Sequence, residues 1–179
     1  MSRPPSDGSD GFPPGLVVVV DTSALIQLKR LVPIARQWPT LNLMSELVDG
    51  GHLCYPRQVR REMAAGKHPD APGAWAVAND GQCRHPAPRD EAIAEVLAVA
   101  QLVDLEAEDD TEVADPYVAA MAWQIRETHP QSRVVVATND FVDRMPVKEA
   151  LATACNRLAI EYWRADEFVA WLDGEASQN

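Results

Sequence analysis

The sequence predicts an α/β fold: a three-layer α/β/α sandwich around a short parallel sheet. Two observations predict it. Two continuous valine-rich runs, "LVVVV" from Leu16 and "RVVVA" from Arg133, are each followed by polar residues and a carboxylate. Such runs are what strands covered on both faces look like. Between and after them lie segments whose apolar residues recur at helical spacing, and strands alternating with helices imply a parallel sheet. The 179 residues, 46% of them hydrophobic, suffice for one domain with a real core. The expected division is a disordered leader over 1–15, one domain over 16–173 and a flexible tail over 174–179.

The first strand is Leu16–Val20, and Thr22 or Ser23 is placed to cap the helix that runs to about Leu31. Pro33 and Pro39 should break the next stretch into short helical pieces. "TLNLMSELVDGG" follows, with Leu41, Met44, Leu47 and Val48 on one face and Gly50 and Gly51 as the stop. "HLCY" reads as a brief strand. Pro56 opens a helix, "PRQVRREMAAG", that Gly66 closes. Lys67 to Arg89 is expected to be a loop with one helical turn around 75–78. "RDEAIAEVLAVAQLVDLE" is amphipathic, with Ile93, Val96, Leu97, Ala100 and Val103 on one face, until the acidic "EAEDDTE" interrupts it. In "ADPYVAAMAWQIRE", Asp115 is the expected N-cap and Pro116 the first helical residue. After the second valine strand come a helix over 147–156, a strand near 158–162 and a helix over 166–172.

A net charge of −11 argues against a broad basic surface for nucleic acid, though not against a local groove or an acidic cluster that holds metal ions. Three cysteines without a CxxC pair do not make a disulfide framework and suit a reducing cytoplasm. Cys83 and His85 have no second pair with which to build a zinc site. The longest aliphatic run, five residues, is far short of a membrane span.

In a parallel sheet, ligands collect beyond the carboxyl ends of the strands, where Asp21 and Asp140 both stand. Each acid alone has an ordinary structural role. Asp21 suits a helix cap, Asp115 a helix start, Glu62 a solvated helix face and Asp140 a turn. Their order along the chain carries more. "VVVVDTSALI", "YPRQVRREM", "ADPYVAAMA" and "VVVATND" resemble, in sequence, the four motifs of PIN-domain ribonucleases, and most closely those of the PIN-like proteins grouped with VapC-type bacterial toxins. The tail "MPVKEALATACNRLAIEYWRADEFVAWL" resembles the end of that family, so the likeness covers 16 to about 172.

The resemblance implies a cytoplasmic endoribonuclease that uses Mg²⁺ or Mn²⁺ to cleave single-stranded RNA. It also implies the toxin's usual company, a small antitoxin protein and a second copy in a homodimer. Asp21, Asp115 and Asp140 would be metal ligands, and Glu62 a ligand or the group that orients a water. A hard dication suits such carboxylates, and without one they would repel each other and bind protons more tightly. Ser23 would support a coordinating carboxylate or serve only as the helix cap. Asn139 and Asp143, flanking Asp140, are supporting candidates. No histidine falls in a motif.

Arg57, Arg60 and Arg61 cluster on the Glu62 helix and are candidate RNA-phosphate contacts, with Lys29, Arg30 and Arg36 as possible additions. Their ordinary alternative is a solvated helix face. Three other functions compete. A haloacid-dehalogenase-like phosphatase would need a second Asp where Ser23 stands. A receiver domain would need an acidic neighbour for Asp21 and a late lysine, and Lys148 reads as helical. The third is a non-catalytic PIN-like scaffold or RNA-binding module.

Overall fold

The computed structural model describes residues 15–65, 70–106 and 113–178. The expected leader, apart from Gly15, and the expected helix stop at Gly66 lie outside these residues, as does most of the acidic run after Leu105. Strand β1 (Leu16–Val20) occupies the middle of a four-stranded sheet. On one side it pairs with β2 (Leu53–Cys54), Val18 opposite Leu53. On the other it pairs with β3 (Arg133–Ala137), in register from Leu16–Arg133 to Val20–Ala137. Beyond β3 lies β4 (Glu161–Trp163). All three pairings are parallel, and the valines of β1 and β3 are buried on both faces, as their unbroken apolar runs require.

The strand order β2-β1-β3-β4 dictates the layers. The chain moves one way from β1 to β2 and the opposite way from β2 to β3 and β4. Right-handed crossovers therefore put the two sets of connecting helices on opposite faces. On one face α1 (Thr22–Leu31) and α2 (Ile34–Asp49) pack with the last helix, α8 (Ala165–Ala176). On the other, α6 (Ala114–Thr128) lies against β1 and β3, flanked by α5 (Asp90–Val99) and α7 (Leu151–Arg157). The short α3 (Arg57–Ala64) and α4 (Ala71–Ala78) pack on each other; α3 touches α6, and both touch α1. The three-layer α/β/α architecture is the one expected. No helix among the described residues is long and apolar enough to cross a membrane.

Several local expectations fail for identifiable reasons. The α1 cap is Asp21, whose side chain accepts the Ser23 N–H; Thr22 and Ser23 are already helical. Pro39 does not break α2, which runs through it as one helix on an exposed face where water can reach the backbone. The turn expected near Trp75 is the full helix α4, capped by Asp70, whose Oδ1 accepts the Gly73 N–H at 3.0 Å. Helix α5 ends at Val99 because the next residues exchange helical bonds for tertiary ones. The Gln101 N–H donates to Glu149 Oε2 (3.1 Å), and the Glu149 N–H donates back to the Gln101 carbonyl (2.8 Å). The same pairing holds 147–150 out of α7. Helix α8 continues to Ala176, into the segment expected to be tail.

Pro39 lacks the N–H that would bond the Ala35 carbonyl, and it is exposed. Pro39→Ala should therefore raise unfolding stability by about 1–3 kcal/mol, less a few tenths for the freer unfolded chain. Urea unfolding of the two proteins measures this, and a less stable variant would contradict it.

Candidate active site

Between β1 and β3 the sheet reverses its winding, and the loops leaving the two strands diverge to open a crevice. Asp21 stands at its floor, 2% exposed. Its Oδ2 accepts three hydrogen bonds: from the Ser23 N–H (3.2 Å), the Ser23 hydroxyl (2.5 Å) and the Thr138 hydroxyl (3.1 Å). Its own N–H donates to the Ala137 carbonyl across the strand ends (2.9 Å). Ser23 Oγ in turn accepts the Asn139 N–H (2.7 Å), and Thr138 Oγ1 accepts the Asp140 N–H (3.1 Å). Ser23 is thus a brace between β1 and the loop after β3, and the cap is Asp21.

Glu62 reaches the same place from α3. Its Oε2 accepts the Thr22 hydroxyl (2.5 Å), and its Oε1 accepts the Ala114 N–H (2.8 Å). The second bond satisfies a first-turn donor of α6 and fixes the helix whose second residue is Asp115. Asp115 is not the N-cap; that position is Val113, and Asp115 lies inside the first turn with its side chain buried. Asp140, on the loop after β3, accepts the Leu151 N–H at Oδ2 (3.1 Å).

These four acids line one open cleft of about 330 Å³, together with Ser23 and Asn139. Asp143 does not line it. It is exposed, and its Oδ1 accepts the Ala150 N–H (2.8 Å) ahead of α7. That bond, with another from Thr153, holds its carboxyl below the usual range.

The cleft also holds two cations that sequence reasoning missed. Lys148 contacts Asp115 Oδ2 and lies 3.4 Å from Asp140 Oδ2, with its side chain only 12% exposed. Arg144 lines the cleft and lies 3.7 Å from Asp104, another of its walls. The sequence signal for Lys148 is faint, because its segment reads as helix. Thr138 was legible only as part of a motif, although its hydroxyl joins Asp21 to Asp140.

The arginines on α3 do not line this cleft. At about 100° per residue, Arg57, Arg60 and Arg61 share a face turned well over 90° from Glu62. Arg57 lines a separate cleft with Tyr55 and Asp80, and Arg60 pairs with Asp80 at 3.4 Å. Lys29 and Arg36 are likewise engaged, by Asp70 and Asp173. Cys83 and His85 serve the backbone: Cys83 Sγ accepts the Tyr55 N–H, and the His85 ring bonds the Gly51 carbonyl.

Burial and mutual repulsion dominate the electrostatics. Burial pushes the Asp21 carboxyl up, and the Glu62 charge adds to this against the three hydrogen bonds. Asp115 is pushed up to about 7, by burial first and then by the Asp21 charge, with Lys148 opposing. Burial pulls the Lys148 ammonium down, but Asp115 and Asp140 outweigh it and leave it above its ordinary value.

The donors facing the cleft are hard oxygens, and the nearby buried Cys155 thiol is pushed up to about 12, so it offers no thiolate. The donor set therefore suits Mg²⁺ or Mn²⁺. Among the described residues, no group of three or more His, Cys, Asp or Glu side chains already converges closely enough to hold an ion. Lys148 stands where Asp115 and Asp140 would have to close in.

Residues 18–174 match the family described as "Domain of unknown function (DUF4411)", and the chain belongs to that family. No curated protein and no solved structure matches it.

Asp115 has a pH signature. Its folded pKa, about 7, exceeds the ordinary 3.8 of the unfolded chain. Its contribution to stability is complete below pH 3.8 and is lost as pH rises through 7. Wild-type protein in chelator should lose up to about 4 kcal/mol of stability between pH 4 and pH 8 through this group. Asp115→Asn should lose much less, as read by urea unfolding at both pH values. Equal losses would show that Asp115 ionises normally.

Proposed function

We propose that this cleft is the active site of a divalent-metal-dependent endoribonuclease acting on single-stranded RNA. The observation that carries the reading is the meeting of Asp21, Glu62, Asp115 and Asp140, one from each resembling motif, at the switch point of the sheet. Asp21, Asp115 and Asp140 would hold Mg²⁺ or Mn²⁺. The bound ion would polarise the scissile phosphate and make the attacking water more acidic.

The chain's own residues do the rest. Ser23 and Thr138 fix the Asp21 carboxylate, so its orientation is set before any ion arrives. Glu62 fixes the α6 N-terminus and hence Asp115. Asn139 offers an amide to a water or a phosphate oxygen in the cleft. Arg144, with its side chain 62% exposed at the rim, supplies positive charge for the RNA backbone.

A non-catalytic module has one observation in its favour: the Lys148–Asp115 pair offsets acidic charge without an ion. The receiver reading gains the lysine it needed, since Lys148 reaches the cleft, but Asp21 still lacks an acidic neighbour. In place of a phosphatase's second Asp stands Ser23, engaged with Asp21 and Asn139. The toxin role and the antitoxin and homodimer partners rest on the motif resemblance alone, and the cytoplasmic location on that and on the cysteine pattern.

Cleavage of a fluorescent single-stranded RNA should require Mn²⁺ or Mg²⁺ and cease in EDTA. Asp21→Asn should lower it roughly a hundredfold or more while the circular dichroism spectrum stays native. Cleavage that survives EDTA would sink the metal mechanism. Cleavage by neither protein at any metal concentration would favour the non-catalytic module.

The position of the cations gives a second test. Arg144→Ala should weaken RNA binding and flatten its salt dependence by about one counterion. The triple change of Arg57, Arg60 and Arg61 to Ala should alter the slope less, because that face is turned from the cleft. The reverse ranking would place the RNA along α3.

A further inference from the structure

We infer that Lys148 is the resident counter-ion of the cleft, and that a divalent cation loads by displacing its ammonium from Asp115 and Asp140. The inference rests on the metal-site reading above and adds to it a residue that governs loading.

The geometry supports an exchange rather than coexistence. Nζ touches Asp115 Oδ2 and lies 3.4 Å from Asp140 Oδ2, so it occupies the space between the two carboxylates. Asp115 and Asp140 would have to close on an ion they shared, and they cannot do so while the ammonium lies between them. Two cations held so close would also repel strongly.

The backbone is built to stay while the side chain leaves. Arg144 and Lys148 exchange two backbone hydrogen bonds, the Arg144 N–H to the Lys148 carbonyl (2.8 Å) and the Lys148 N–H to the Arg144 carbonyl (3.1 Å). The next residue, Glu149, is tied to Gln101 in both directions. Loading can therefore leave the backbone in place: the flexible four-carbon stem swings away and the carboxylate side chains close in. With the ion neutralising the carboxylates, the charge of the freed ammonium is no longer offset by them, which favours an anionic substrate.

Mn²⁺ titration of the full chain at pH 8, followed calorimetrically, tests this with no need for activity. Lys148→Met should bind Mn²⁺ at least about tenfold more tightly than wild type, since one competing cation is gone. Lys148→Arg keeps a cation and should stay near the wild-type affinity. Equal or weaker binding by Lys148→Met, with wild type binding well, would overturn the exchange and leave the metal site standing. Absence of binding by wild type and both variants at millimolar Mn²⁺ would overturn both.

A second readout uses wild-type protein, so it survives a variant that fails to fold. The chain has three lysines, Lys29, Lys67 and Lys148, whose acylation mass spectrometry can separate. Saturating Mn²⁺ should speed acylation of Lys148 severalfold and leave Lys29, paired with Asp70, unchanged. An unchanged Lys148 rate would overturn the inference.

Discussion

The arrangement of the cleft depends on one buried carboxylate. A carboxylate removed from water at the end of an apolar strand costs several kcal/mol unless donors replace the lost hydration. Asp21 receives three, all on Oδ2, and they come from both sides of the switch point: Ser23 at the start of α1 and Thr138 at the end of β3. Satisfying Asp21 therefore caps α1, locks the ends of β1 and β3 together and turns Asn139 and Asp140 toward the crevice. A run of four valines can end on an acid because the neighbouring hydroxyls are positioned to receive it.

The other acids follow from that anchor and from the need to balance charge. Glu62 joins α1 to α6 through Thr22 and Ala114, which brings Asp115 toward Asp21. Burial first, and then a neighbouring charge, Glu62 for Asp21 and Asp21 for Asp115, raise both carboxyls. In this arrangement Lys148 offsets part of the acidic charge. A site that carries unfavourable charge through folding and meets part of it with an ammonium on a flexible stem is suited to exchange that ammonium for a stronger cation.

The sequence made the scaffold and the acids legible for the same reason. β1 and β3 announce themselves through unbroken valines, and the acids sit at fixed offsets from them or from a helix start. What escaped depends on tertiary bonds with no local signature. Helix α5 stops where Gln101 meets Glu149, and that pairing also keeps Lys148 out of α7 and in the cleft. The periodicity around 147–156 could not reveal it. Asp143 and the α3 arginines show the converse. Proximity in sequence made them candidates, but one serves the start of α7 and the others turn to a different face. The cap of α1 falls on Asp21 rather than on Thr22 or Ser23, because the acid that ends the strand is itself the capping side chain.

The central claim is that Asp21, Asp115 and Asp140 form a divalent-cation site. Anomalous diffraction from crystals grown with Mn²⁺ tests it most directly. The expected map has a peak within coordination distance of these three carboxylates, with the Lys148 ammonium withdrawn from Asp115. A map without a peak in the cleft, and with Lys148 still bridging Asp115 and Asp140 at saturating Mn²⁺, would contradict it.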